Sequence, residues 1–242
     1  MDLMQLKRFG VPGRLAPLEL QLAPGEMLGV IGPNGAGKST LLSAVAGVTR
    51  HVGSLEYLGS DAHQLTPNQR ARQIGYLPQS QQSAWALNVE DVVALGRLPW
   101  ADEDAERIHR AMQQTSLLAL RRRKVAELSG GEQARVWLAR VLAGEPRVLV
   151  ADEPVASLDL LHQRKVMELL RAHARAERAV ILSIHDLSLA ARYCDKLCLL
   201  RGGELLAFGS PAQVLTTELV GAAFEVPVPI DLASTPPILL PL

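Results

Sequence analysis

Gly32-Pro33-Asn34-Gly35-Ala36-Gly37-Lys38-Ser39 fits the pattern G-x-x-x-x-G-K-[ST]. It directly follows the apolar run Met27–Ile31 and opens a helical stretch, Lys38–Ala46. No other feature of this chain limits the fold as tightly. A strand, a glycine-rich turn and a helix in that order curl the backbone so that successive N–H groups converge, and the helix N-terminus adds a favourable dipole. Such a loop cradles phosphate: Lys38 suits the β- and γ-phosphates, and the Ser39 hydroxyl suits magnesium, with Thr40 beside it. Taken alone the motif says only that a phosphate-rich nucleotide binds, because kinases, GTPases and many ATPases share it.

The rest of the chain supplies a sheet to hold that loop. Short apolar runs at Ile74–Leu77, Arg147–Ala151 and Ala179–Ile184 read as strands, the first ending at Pro78. Between and after them lie helical patterns at 89–123, Glu132–Leu142, Leu160–Arg175 and Leu187–Tyr193. Val166, Leu169, Leu170 and His173 recur at helical spacing, and Asp102-Glu103-Asp104 is an acidic helix start. Lys196–Leu200 and Glu204–Phe208 form a hairpin turned by Gly202-Gly203. After Gly221 the chain becomes proline-rich and poorly patterned. The alternation predicts an α/β fold, a mixed or parallel sheet covered by helices. The helical block from about 80 to 145 reads as an insertion into a nucleotide-binding core.

Composition narrows the partners. The 242 residues carry 25 Lys and Arg against 25 Asp and Glu, and a neutral chain lacks the cationic surplus that non-specific nucleic-acid binding rewards. No apolar run reaches the roughly 18–20 residues of a membrane-spanning helix, and no signal peptide is visible. A soluble, cytosolic protein is expected. Cys194 and Cys198 would share one face if their stretch is helical. They read as core-filling thiols of a reducing compartment rather than a metal site. The histidines His51, His63, His109, His162 and His173 have no motif context and read as surface or packing residues.

Two further clusters carry chemistry. Val148–Ala151 is a buried strand ending in two carboxylates: Asp152 suits the magnesium shell, and Glu153 suits a general base on the attacking water. Leu128-Ser129-Gly130-Gly131-Glu132-Gln133 makes a second phosphate-binding helix start, with Ser129, Gly130 and Gly131 at its tip. One ATP does not readily need both helix starts from the same subunit. A head-to-tail pair of chains resolves this, each closing its second loop over the ATP held by the other.

With these residues in place, the sequence resembles the ATP-binding subunit of ATP-binding-cassette (ABC) transporters over nearly its whole length. Walker A matches Gly32–Ser39, Walker B matches Val148–Glu153, and the signature motif matches Leu128–Gln133. The Q-loop glutamine matches Gln79, the D-loop matches Ser157-Leu158-Asp159, and the switch histidine matches His185. The resemblance implies a P-loop NTPase fold of the ABC-ATPase kind: a RecA-like core, an antiparallel β subdomain and an inserted helical signature subdomain, in one nucleotide-binding domain over 1–242. It also implies roles. Gln79 touches magnesium or the attacking water, His185 contacts the γ-phosphate, and Asp159 reaches the other subunit's phosphate loop. Family members place an aromatic residue before the second strand as an adenine platform; Phe9 either takes that role or fills the core. Ala134 stands where many members carry a longer polar residue.

The implied cofactors are ATP and Mg2+. The implied partners are a second ATPase copy, a polytopic permease dimer and, indirectly, a periplasmic substrate-binding protein, with the ATPase held on the cytoplasmic face of the inner membrane. Asn88–Pro99, His185–Tyr193 and Gly209–Pro211 through Val228 are similar to importers of iron-siderophores, haem and cobalamin. The start, Arg14–Leu18 leading to Pro24-Gly25-Glu26, looks most like cobalamin importers, so cobalamin is expected ahead of siderophore or haem. Superfamily members acting on DNA or ribosomes, or in iron–sulfur assembly, fit less well. The separation of Gln79 and Ser129 is too short for DNA-repair relatives, and only one cassette is present. The stretch 87–99 is a candidate permease-docking surface, although Leu95, Leu98 and Trp100 could equally be core.

Overall fold

The computed structural model describes residues 2–79, 87–156, 158–226, 230–231 and 238–239. Ser157 of the D-loop motif, Ser80–Ala86 at the start of the helical block, and Pro227 and Val228 therefore lie outside the described residues. The chain opens with strands β1 (Met4–Val11), β2 (Leu15–Leu22) and β3 (Met27–Ile31), then helix α1 (Lys38–Val45). Strands β4 (Val52–Tyr57) and β5 (Ser60–Asp61), helix α2 (Pro67–Gln73) and strand β6 (Ile74–Leu77) follow. The helices α3 (Val89–Ala94), α4 (Ala105–Gln114) and α5 (Gly130–Ala143) come next, with 3-10 turns between them. The last part holds β7 (Val148–Ala151), α6 (Leu160–Arg175), β8 (Ala179–Ser183), α7 (Leu187–Tyr193), β9 (Lys196–Arg201), β10 (Glu204–Gly209), α8 (Pro211–Val214) and α9 (Thr217–Phe224).

A six-stranded sheet, ordered β10-β9-β3-β8-β7-β6, is parallel from β9 to β6, with β10 returning antiparallel as a hairpin arm. Its central strands are buried throughout, so they read as unbroken apolar runs. Because side chains alternate across a strand, each of these runs serves two cores. Val148, Val150 and Ile181 face a core shared with α1 and the second sheet. Leu149, Ala151 and Leu182 face the core beneath α5 and α6.

The second sheet is antiparallel, ordered β2-β1-β4-β5. Its strands are half-buried, with Leu18, Leu20 and Leu22 inward and Glu19 and Gln21 outward. Pro17 is tolerated because β2 is the edge strand and no ladder bond is needed from its nitrogen. The pairing shifts register on both sides of Phe9. Arg8 is left-handed at φ +48° there, and opposite it Gly53 (φ +80°) leaves no room for a Cβ, which would lie 2.0 Å from the Arg8 carbonyl oxygen.

Helices α3 to α5 form a layer beside the main sheet, joined by a buried arginine. Arg97 donates to both Asp102 oxygens (2.7 and 2.6 Å) and to the Ala143 carbonyl, with Trp100 beside its guanidinium. The layer crosses closely at Gly96, where a Cβ would fall 1.9 Å from the Arg140 carbonyl oxygen. In the 87–99 stretch Leu98 is exposed while Leu95 and Trp100 are half-buried, so the core alternative holds only for part of it.

Two expectations need correction. Cys194 is the residue that ends α7 and Cys198 lies in β9, so the two thiols do not share a helix face. Each is buried, and burial pushes both thiols up to about 12. The chain also keeps regular structure past Gly221, because α9 runs on to Phe224 with Val220 and Ala223 buried. Among the described residues no helix is long and apolar enough to cross a membrane.

Candidate nucleotide site

The loop after β3 is shaped by glycines that no other residue replaces. Gly32 has φ +143°, and a Cβ on it would lie 2.2 Å from the Leu200 carbonyl oxygen. Gly37, at φ +101°, is the N-cap of α1 and offers no side chain to the helix. The first N–H groups of α1 are thus left for a ligand, as an anion site requires. Lys38 is almost fully buried and folds back on its own loop, its Nζ donating to the carbonyls of Gly32 (2.8 Å) and Pro33 (2.9 Å). Burial lowers its pKa, opposed by the nearby charges of Glu153 and Asp152.

A cavity of about 590 Å³ opens over this loop, a volume ordinary for a small-molecule site. Asn34 to Thr40 form its floor, Gln79 and Glu153 reach it from beyond β6 and β7, and Gly202 and Gly203 reach it from the β9–β10 turn. Gly13 and Arg14 complete the wall from the β1–β2 turn. Asp152 is buried behind, accepting from the Ser183 hydroxyl (2.6 Å), and the Glu153 N–H donates to the same hydroxyl oxygen (2.8 Å). Glu153 holds a left-handed backbone (φ +51°), a conformation that costs a non-glycine residue energy and clusters at functional sites. Its Oε1 meets His185 Nε2 at 2.5 Å, with the histidine ring partly open to solvent. Ser39, Gln79 and Asp152 offer hard oxygen ligands, a set suited to Mg2+.

Walker A, Gln79, Glu153 and His185 are thereby brought together. Other predicted site residues are not. Ser129 caps α5 and Gly130 and Gly131 open it, and none of the three is among the described lining residues; neither is Asp159, which caps α6 by accepting from the His162 N–H (2.9 Å). The adenine-platform expectation for Phe9 is corrected. Its side chain is fully buried in the core between the sheets, with its ring 4.5 Å from that of His51. The register shifts around Phe9 turn it inward, leaving no ring face to the cavity. Sequence reasoning passed over Arg14 and the Gly202-Gly203 turn as parts of the site. The only cue to the glycines was their pairing in a hairpin.

Known proteins share the sequence pattern and the fold. The ABC transporter family profile matches residues 15–156. The chain is 43% identical over 234 residues to the hemin import ATP-binding protein HmuV of Pseudomonas entomophila, covering 93% of this chain and 91% of that protein. It is 42% identical over 223 residues to the cobalamin import ATP-binding protein BtuD of Halobacterium salinarum, covering 89% of this chain and 56% of that protein. Among solved structures, an inward-facing transporter described as of metal-chelate type superposes with a TM-score of 0.86 at 26% identity, covering 100% and 98% of the two chains. The phosphate loop, the paired carboxylates, the capped signature helix and these relatives converge: the chain belongs to the ABC transporter family, as one of its ATP-hydrolysing subunits.

Proposed function

We propose that this chain powers an importer of a metal-chelate cofactor, with haem as the cargo and cobalamin as the second reading. The observation that carries the haem reading is 40–44% identity to several hemin import ATPases over most of both chains. The cobalamin reading rests on BtuD at 42%. The Arg14–Leu18 segment that resembles cobalamin importers builds the turn and edge strand beside the phosphate loop.

In the proposed reaction cycle residues 1–242 act as one nucleotide-binding domain, with the 80–145 helical block as its inserted subdomain. Two copies close head to tail, so that Ser129, Gly130, Gly131 and Asp159 of each meet the nucleotide on the other. Ser39, Gln79 and Asp152 would hold Mg2+, which when bound neutralises charge on the β- and γ-phosphates. The oxygen of a water attacks the γ-phosphorus, its proton passes to Glu153, and the bond to ADP breaks. His185 sits on the carboxylate that takes that proton, and it reorients to the γ-phosphate when nucleotide is bound. A permease docks on the helical layer, where Leu98 is 69% exposed beside the anchored Arg97. The ATPase is thereby held at the cytoplasmic face of the inner membrane.

Reconstitution with a partner permease and its binding protein tests the cargo. Hemin-loaded binding protein stimulates ATP turnover in the haem reading, whereas stimulation by cobalamin-loaded protein alone would replace it. Glu153→Gln is expected to keep ATP affinity, lose turnover by about 10²- to 10⁴-fold and accumulate a closed dimer. Turnover near wild type would remove Glu153 from the role of base.

A further inference from the structure

The cavity over the phosphate loop has no aromatic ring on its described wall, and Phe9 is shut inside the core. A purine bound there needs a flat partner to exclude water from one face of the base. Among the described lining residues Arg14 supplies the one cationic plane, the other cation being the ammonium of the buried Lys38. Its side chain is exposed, and among the described residues its guanidinium has no ion-pair or hydrogen-bond partner. By contrast Arg97, Arg110, Arg171 and Arg201 are each held by a carboxylate.

The backbone that carries Arg14 is fixed to the loop. Ala16 N–H donates to the Gly203 carbonyl (2.7 Å), Gly203 N–H donates to the Ala36 carbonyl (3.1 Å), and Arg14 N–H closes the turn on Val11 (2.9 Å). The Arg14 carbonyl oxygen packs so closely on Gly203 that a Cβ there would lie 2.6 Å away. Position in the sheet then orients the nucleotide. Glu153 and Gln79 follow β7 and β6, on one side of β3, whereas Gly202 and Gly203 join β9 to β10 on the other. A triphosphate lying on the loop with its γ-phosphate toward Glu153 extends its base toward Arg14.

We infer that Arg14 is the nucleobase platform of this ATPase, its guanidinium stacking on adenine where the buried Phe9 does not reach. Guanidinium planes stack on π-systems by cation–π attraction as well as by contact, and a lysine does not replace that plane. The inference rests on the reading of Gly32–Ser39 as the triphosphate site and Glu153 as the base.

Binding of ATP and of inorganic tripolyphosphate to the full chain, measured by calorimetry, tests it. Arg14→Ala is expected to weaken ATP about five- to tenfold while leaving tripolyphosphate unchanged, which also serves as the folding control. Arg14→Trp restores ATP affinity and Arg14→Lys does not. Equal weakening of both ligands would make Arg14 a phosphate contact and overturn the platform, as would unchanged ATP binding in Arg14→Ala or full affinity in Arg14→Lys. If wild-type protein bound neither ligand, or if Lys38→Ala left both bindings intact, the phosphate-site reading itself would fall, and the platform with it.

Discussion

Two helices of this chain begin with glycine-rich turns, and they finish their N-termini in opposite ways. α1 starts at Gly37, which is left-handed and has no side chain, so its first N–H groups have no side-chain acceptor. α5 starts at Ser129 in a complete capping box. Glu132 accepts from both the Ser129 N–H and its hydroxyl (2.8 Å each), and the Glu132 N–H donates back to that hydroxyl oxygen (3.4 Å). Those bonds hold the Glu132 carboxyl below its usual range. The first turn leaves its N–H groups open to an anion, whereas the second is already capped by the anion of its own chain. That difference fits the proposed head-to-tail pair, in which only one helix start must work in the separate subunit.

Ser129→Arg gives the largest contrast. It should lower turnover a hundredfold or more, a loss typical of removing a transition-state contact, while ATP binding to the separate subunit stays at wild-type affinity. Normal hydrolysis in this variant would make the two helix starts independent and end the comparison. Acid unfolding separates the α5 cap from a second titrating group. His173 is buried with Nε2 on the Pro146 carbonyl oxygen, and burial lowers its pKa from 6.5 to about 4. The unfolded chain therefore takes up the proton first, so stability is complete above pH 6.5 and falls by about 3 kcal/mol down to about pH 4. The Glu132 contribution is complete above its ordinary value of 4.5 and is lost from there downward, as pH falls through its depressed pKa. Urea midpoints at pH 7, 5 and 4 should flatten over this range in His173→Gln; an unchanged slope would assign the loss elsewhere.

Gly37→Ala should cost about 1–3 kcal/mol, since alanine is strained at φ +101°, and ATP affinity should fall with it. Wild-type binding and stability together would show that the turn tolerates other shapes. Gly130→Ala is the mildest change, because nothing lies within 4 Å of its missing Cβ. Stability should rise by about 0.5 kcal/mol with ATP binding unaltered. Turnover should drop through crowding of the other copy's nucleotide, and undiminished turnover would place Gly130 away from it.

The central parallel strands were legible because β3, β7 and β8 are buried on both faces and read as unbroken apolar runs. Met27–Ile31 and Ile74–Leu77 match their predicted limits, and Leu160–Arg175 and Leu187–Tyr193 match as helices. The antiparallel sheet was not read strand by strand. Pro17 interrupts β2, and the register shifts around Phe9 break the alternation that marks a half-buried strand. The helix start at Gly130 also precedes its expected position at Glu132, since glycines carry no apolar signal and only the Ser129 cap marks the boundary.

The motifs themselves marked Gly32–Ser39 as the candidate phosphate loop and Asp152 and Glu153 as the end of a buried strand, because glycine spacing and an apolar run are local properties. Tertiary structure decided what faces the cavity. It turned Phe9 into the core through two register shifts, placed Arg14 on the cavity wall through the Gly203 contact, and set His185 on Glu153 across β8. These are long-range outcomes of packing, and no window of sequence contains both partners.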